Sequence, residues 1–281
     1  MTDTFVSAEW VADRLDDPGL AVVDVRDAWE YDGIGHLPGA VSIPFDEFRS
    51  EVGDEGMLPG TERWGDLLST AGIDRDDEIV AYDDEHGVFA ARFLVTAELY
   101  GHDPDRLHLL DGDYSAWSRG HATERDAPEP DPSDYEPTDP VAGGDSPLVD
   151  FAGVRQRLDG DADRDGDGDP DGDADRDGDT VIVDTREEWE HAEGHLPGAV
   201  QLDWLELVDA DTRGLKPRGE LESILADRGI TPDRAVLLYC NTARRISHTY
   251  LVLRHLGYED VLFYEGSLTE WEERGGETVS E

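Results

Sequence analysis

The same set of motifs occurs twice along this chain in the same order, and that duplication constrains the fold more than any other feature. The segment from Val23, VDVRDAWEYDGIGHLPGAV, lies against the segment from Val183, VDTREEWEHAEGHLPGAV, with one residue of gap near Gly33 to Gly35. Further on, EIVAYDDEHGVFAARFLVTAELYGHD matches AVLLYCNTARRISHTYLVLRHLGYED, and LLDGDYSAWSRG matches FYEGSLTEWEERG. With 281 residues, two copies of one unit predict two domains, each long enough to bury its own core without staples.

Within each copy, short apolar runs alternate with helical patterns. The runs are Ala21 to Val25, Ile79 to Tyr82, Val181 to Asp184, Val236 to Tyr239 and Val261 to Tyr264. This alternation predicts an α/β class, a mostly parallel sheet flanked by helices in each domain. Ser7 and Asp150 stand where N-caps would start matching helices, Ala8 to Leu15 and Phe151 to Leu158. The stretch 126–147 is rich in proline, aspartate and glycine and reads as an extended linker, which sets the domains at 1–125 and 148–281.

An aspartate-rich insertion, 159–179, interrupts the second copy where the first has only DDPGL. Asp161, Asp163, Asp165 and Gly166 imitate the start of a calcium loop, but its twelfth position is Gly172 rather than glutamate. A second register puts Asp184 at that place, and Asp184 belongs to the duplicated block. The insertion is expected to be solvated and disordered.

The chain carries 69 acidic and 23 basic side chains, a net charge of −46, with Lys216 the single lysine. That balance argues against nucleic acid or an anionic membrane as partner. Self-repulsion of this size suits a salt-rich solvent, since at about 1 M salt the screening length falls to roughly 3 Å. Met1 to Asp17 lack the basic start and apolar run of a signal peptide, and no stretch is apolar enough to span a bilayer, so a soluble cytoplasmic protein is expected.

Cys240 is the single cysteine, so neither an intrachain disulfide nor a cysteine-based zinc site can form. It follows the apolar run AVLLY and precedes a helical pattern carrying Ile246, Tyr250 and Leu253 on one face. A strand end facing a helix N-terminus offers unpaired amides to an anion, and Arg244 and Arg245 add positive charge. The thiol is expected to ionise readily there.

The blocks VDTR, GHLPGA, the loop Cys240-Asn241-Thr242-Ala243-Arg244-Arg245 and VLFYEGSLTEW resemble the rhodanese family over nearly the whole chain, excepting the linker and the insertion. The resemblance implies two rhodanese-like domains and a sulfurtransferase that needs neither cofactor nor metal. Cys240 would carry a persulfide between thiosulfate and cyanide or another thiophilic acceptor. It also implies that Arg245 and Arg186, with Arg244 as a third candidate, bind the donor, while Asn241, Thr242, Ala243 and Asp184 support the loop. Arg186 could equally be a structural ion-pair partner of Asp184. The C-x4-R spacing differs from the C-x5-R of related phosphatases, whose longer loop takes a phosphate.

In the first copy Asp83 stands at the cysteine position, so that domain is expected to be catalytically inactive and to wall the site. His36 and His195, each before a Pro-Gly turn, are read as structural, Trp117 and Trp271 as core, and His248 as a helix-surface residue. Two other readings stand beside thiosulfate transfer. One is a 3-mercaptopyruvate sulfurtransferase, against which the non-glycine loop after Cys240 argues. The other is a non-catalytic sulfur-relay or binding module.

Overall fold

The computed structural model describes residues 4–50, 57–141, 146–162 and 180–280. The chain divides into two units, Met1–Pro140 with Val208–Lys216, and Val141–Leu207 with Pro217–Glu281. The first unit runs β1 (Phe5–Val6), α1 (Ala8–Ala12), β2 (Leu20–Asp24), α2 (Ala28–Gly33), β3 (Val41–Ser42), α3 (Thr61–Thr70), β4 (Glu78–Tyr82), α4 (Val88–Leu99), β5 (Leu107–Leu110) and α5 (Tyr114–Trp117). The second repeats the series as β6 (Leu148–Val149), α6 (Phe151–Ala162), β7 (Val181–Asp184), α7 (Glu188–Glu193), β8 (Val200–Gln201), α8 (Arg218–Ala226), β9 (Val236–Tyr239), α9 (Arg244–Leu256), β10 (Val261–Tyr264) and α10 (Ser267–Glu273).

Each unit holds a five-stranded sheet, ordered β1-β5-β4-β2-β3 and β6-β10-β9-β7-β8. The paired strands run parallel, with Val23 against Ala81 and Val183 against Leu238 at the centre of each sheet. The expected α/β class is therefore observed. The central strands β5, β7 and β9 are buried at every position, as strands covered on both faces must be. Val22, Val80, Tyr82, Leu110 and Trp117 form one core, and Ile182, Leu237, Tyr239, Tyr264 and Trp271 its counterpart. Both tryptophans are thus core residues, as expected from sequence.

Local signals act where sequence placed them. Ser7 Oγ accepts the Trp10 N–H at 3.2 Å, and Asp150 Oδ1 accepts the Gly153 N–H at 2.9 Å. In both GHLPGA blocks the alanine N–H donates to the leucine carbonyl, with Gly39 at φ +73° and Gly198 at φ +75°. Positive φ at the third residue of such a turn is the conformation that glycine adopts without strain. The first helix of the second unit extends to Ala162, beyond its expected end at Leu158. The rest of the acidic run, 163–179, and with it the calcium-like pattern, lies outside the described residues.

The described first part of the linker is laid along the first unit. Ser133 and Tyr135 bond to Ser69, Tyr135 Oη meets His102 Nδ1 at 3.1 Å, and the Thr138 N–H donates to Tyr100 O at 2.8 Å. Glycines make room for this track. A Cβ on Gly72, at φ +70°, would sit 2.7 Å from Pro130 Cβ and 2.9 Å from Asp131 O. Gly72→Ala is therefore expected to lower the stability of the first unit by about 1–3 kcal/mol, because it combines left-handed strain with a clash against backbone. Denaturant unfolding at high salt measures it.

Candidate functional site

The loop after β4 holds its own anion. Asp83 turns its carboxylate inward, where the N–H groups of Glu85 and Gly87 donate to Oδ1 at 2.9 and 2.7 Å, and those of Phe89 and Ala90 donate to Oδ2 at 2.8 and 3.0 Å. Successive amides converging on one acceptor form an anion nest. Burial pushes the Asp83 carboxyl up, against the downward pull of those four bonds. The turn that aims the amides passes through His86, at φ +59°.

The loop between β9 and α9 starts alike with different chemistry, but the left-handed Gly87, at φ +86°, has no counterpart in Arg244, and α9 begins one aligned residue earlier than α4. Cys240 replaces Asp83, and Ala243, at φ +61°, occupies the place of His86. The loops are anchored alike, by Tyr114 N–H to Asp83 O at 2.8 Å and by Leu268 N–H to Cys240 O at 3.0 Å. In the alignment of the two copies Thr242, Arg244, Ile246 and Ser247 correspond to the four amide donors of the first nest. Cys240 is only 2% exposed, and its own N–H donates to Ser267 Oγ at 3.1 Å.

Arg245, which closes the loop, lies within electrostatic reach of Cys240. Its Nη1 donates to Glu190 Oε2 and its Nη2 to Glu190 Oε1, the latter at 3.2 Å. The same carboxylate accepts Asn241 Nδ2 at 2.9 Å and the Glu187 N–H at 3.1 Å. Burial alone would raise the Glu190 carboxyl, but the bonds from Arg245 and the Glu187 amide outweigh it and hold the group below its ordinary value. Arg244 opens α9 half-buried, and Thr242 is exposed.

Arg186 is committed to the fold. Its Nε and Nη2 donate to Asp184 at 2.9 and 2.6 Å, and Nη2 also donates to Gly194 O at 2.6 Å. Tyr239 Oη and His191 Nδ1 lie 3.0 Å from the same Asp184 oxygen. Arg26, Asp24, Gly35 and Tyr82 build the same lattice in the unit that has no thiol. Two differences separate the copies: the aligned partner of His191 is Tyr31, which donates to Ala40 O and not to Asp24, and the free edge of the arginine is met differently. Arg186 Nη1 reaches Asn241 Oδ1 at 3.4 Å, whereas Arg26 Nη1 has no hydrogen-bond partner.

The candidates Asn241, Arg245, Arg186 and Asp184 are thus joined in one hydrogen-bonded group, with Cys240 within electrostatic reach of its Arg245 and Arg186 entering through the loop rather than through an open face. Glu190 was not among the candidates. Its signal was the glutamate that follows the tryptophan in both DAWE and EEWE. His36 and His195 are buried beside their turns, stacked on Tyr31 and His191 at ring-centroid distances of 4.0 and 3.7 Å. His248 corrects the sequence reading, being 1% exposed rather than at the helix surface. The short 3₁₀ turn Trp204–Leu207 covers the side of α9 that the sheet leaves open, and Trp204 meets the His248 ring edge-on at 5.2 Å.

The described residues hold no group of three or more His, Cys, Asp or Glu side chains placed to bind a metal, and none of their helices is long and apolar enough to cross a membrane. In the first unit the turn contributed by Val208–Lys216 closes over the nest. Arg213 Nε donates to Asp113 at 2.7 Å, and its Nη2 donates to Asp84 O at 2.8 Å. An open cleft of about 610 Å³ beside α3 and the linker is mostly apolar and contains no thiol.

The rhodanese-like domain model matches the chain twice, over residues 7–120 and 172–274. The chain is 33% identical over 287 aligned positions to a thiosulfate sulfurtransferase of Corynebacterium glutamicum, covering 96% of this chain and 87% of that one. A thiosulfate sulfurtransferase of Pseudomonas aeruginosa is 32% identical over 273 positions, covering 93% and 91%. Among solved structures, SseA from Escherichia coli, described with the rhodanese fold of 3-mercaptopyruvate sulfotransferases, matches with a TM-score of 0.77. It is 24% identical, with 95% of this chain and 99% of that one covered, a likeness of fold.

The Asp184 lattice carries a pH dependence. Burial would raise its carboxyl, but the bond and charge of Arg186, then the bond from His191, hold it below its ordinary value. A depressed folded value means that this contribution is complete above the unfolded value of about 4 and drains away as the pH falls through the folded one. Asp184→Asn should cost the second unit about 3–5 kcal/mol by stranding a buried arginine, and should flatten that acid limb. Unfolding midpoints measured from neutral pH downward check both.

Proposed function

Because the chain belongs to the rhodanese family, with two copies of its domain, we propose that it is a thiosulfate sulfurtransferase whose second unit carries sulfur on Cys240. The observation that supports this most is the pair of loops. A loop that turns through a left-handed residue cradles a carboxylate in the first unit and, at the aligned place in the second, carries the chain's single thiol within electrostatic reach of Arg245. A nest shaped for an anion suits the persulfide anion that a sulfur carrier becomes.

The transfer proceeds in two displacements. The Cys240 thiolate attacks the outer sulfur of thiosulfate, the sulfur–sulfur bond of the donor breaks, and its electron pair leaves with sulfite. The persulfide anion then rests among the loop amides, with Arg245 offsetting its charge. A thiophilic acceptor such as cyanide attacks the terminal sulfur, and Cys240 departs as thiolate. No oxidant, metal or cofactor is consumed.

Arg245 supplies guanidinium donors to the dianion, and Arg186 acts at one remove, through Asn241. The acidic surface is matched to a concentrated salt solution, where screening over about 3 Å leaves these short-range contacts decisive.

Incubation with thiosulfate at high salt should add one sulfur atom to Cys240 by mass spectrometry, and Cys240→Ser should add none. The reading fails if the parent protein takes up no sulfur. Thiosulfate should be used with higher kcat/KM than 3-mercaptopyruvate. Arg245→Lys, losing the planar pair of donors, should lower kcat/KM for thiosulfate about 10- to 100-fold.

A further inference from the structure

The cradle of the first unit is held in shape by the group that fills it. Asp83 ties together the amides of Glu85, Gly87, Phe89 and Ala90 through four hydrogen bonds. A loop that must receive and release sulfur cannot use such a filler. Its shape has to be held from outside.

Three contacts do so in the second unit. Ser267 Oγ accepts the Cys240 N–H, and Thr269 Oγ1 donates to Asn241 O at 2.9 Å. The third is Glu190, whose carboxylate joins Asn241, directly after the thiol, to Arg245, at the far end of the loop. Glu190 is itself fixed by the Glu187 N–H at the start of α7.

The duplication supplies an internal control. Glu30 occupies the same place in the first unit and makes the same helix cap, accepting the Asp27 N–H at 3.2 Å. At the positions aligned with Arg245 and Asn241 the first unit has Val88 and Asp84. Capping is common to both copies, whereas the bridge occurs only in the copy that has a thiol.

Resting on the sulfur-transfer reading above, we infer that Glu190 is a positioning residue for donor binding. Its carboxylate spaces Asn241 and Arg245 so that the loop keeps its shape around Cys240, and it occupies two guanidinium donors while leaving others for the incoming dianion. It touches neither thiol nor donor and takes no part in bond breaking. Its effect therefore falls on capture of thiosulfate and not on discharge of the persulfide.

The test compares Glu190→Gln with Glu30→Gln in the full chain at high salt. Each change removes one carboxylate charge from a helix cap, and only the first removes it from the bridge. Glu190→Gln should raise the KM for thiosulfate about tenfold, as expected for one weakened charge-assisted contact, and leave discharge of a preloaded persulfide by cyanide within about twofold of the parent. Glu30→Gln should leave both unchanged. An unchanged KM in Glu190→Gln, or an equal shift in Glu30→Gln, overturns the inference. If Glu190→Gln does not fold, Glu190→Asp, too short to reach cap and bridge together, is held to the same expectation. A parent protein that takes no sulfur from thiosulfate overturns the sulfur-transfer reading and this one with it. A parent that loads sulfur while the variant matches it sinks only the role of Glu190.

Discussion

Backbone N–H groups gathered inside a buried loop must be given an acceptor, and most of what distinguishes the two halves of this molecule follows from how each meets that demand. An unsatisfied buried donor costs about 1–3 kcal/mol, so four of them make a strong claim on whatever occupies the centre. The first unit answers with a carboxylate of its own, Asp83, and closes the site further with Arg213. The second places a thiol at the same point and leaves the work of bracing to Ser267, Thr269 and Glu190. One loop is thereby held from its centre and the other from its rim.

Beneath both loops lies a buried lattice of aspartate, arginine and tyrosine that does not change between copies. Burying an ion pair is costly unless every donor and acceptor is met, and here the carboxylate of Asp184 is met by Arg186, Tyr239 and His191. Because Asp24, Arg26 and Tyr82 repeat the arrangement without a thiol nearby, its first role is to lock β2 to β4 and β7 to β9 at the strand ends from which the loops spring. Chemistry was placed on a platform that holds without it.

The sheets, the capped helices, the Pro-Gly turns and the position of Cys240 were legible in the sequence because each depends on local pattern or on comparing one copy with the other. Glu190 was hidden because its partners Asn241 and Arg245 lie more than fifty positions away, and only the fold brings them together. His248 was misplaced because helical spacing reports one covered face, while α9 is covered on a second by the turn at Trp204. The bonding of the linker to the first unit rests on serine, threonine and backbone groups that carry no periodic signal. The edge strands were missed for a similar reason, each being only two residues long.

The docked linker has a consequence for where the first half of the molecule ends as a material object. Compositional change places its edge near residue 125, but Tyr135 is buried there and Thr138 bonds Tyr100. A fragment cut at 125 would bare the apolar seat of Tyr135 and leave Tyr100 O, Ser69 and His102 to water. It would be sticky and loose where the longer piece, ending after Pro140, keeps that seat filled.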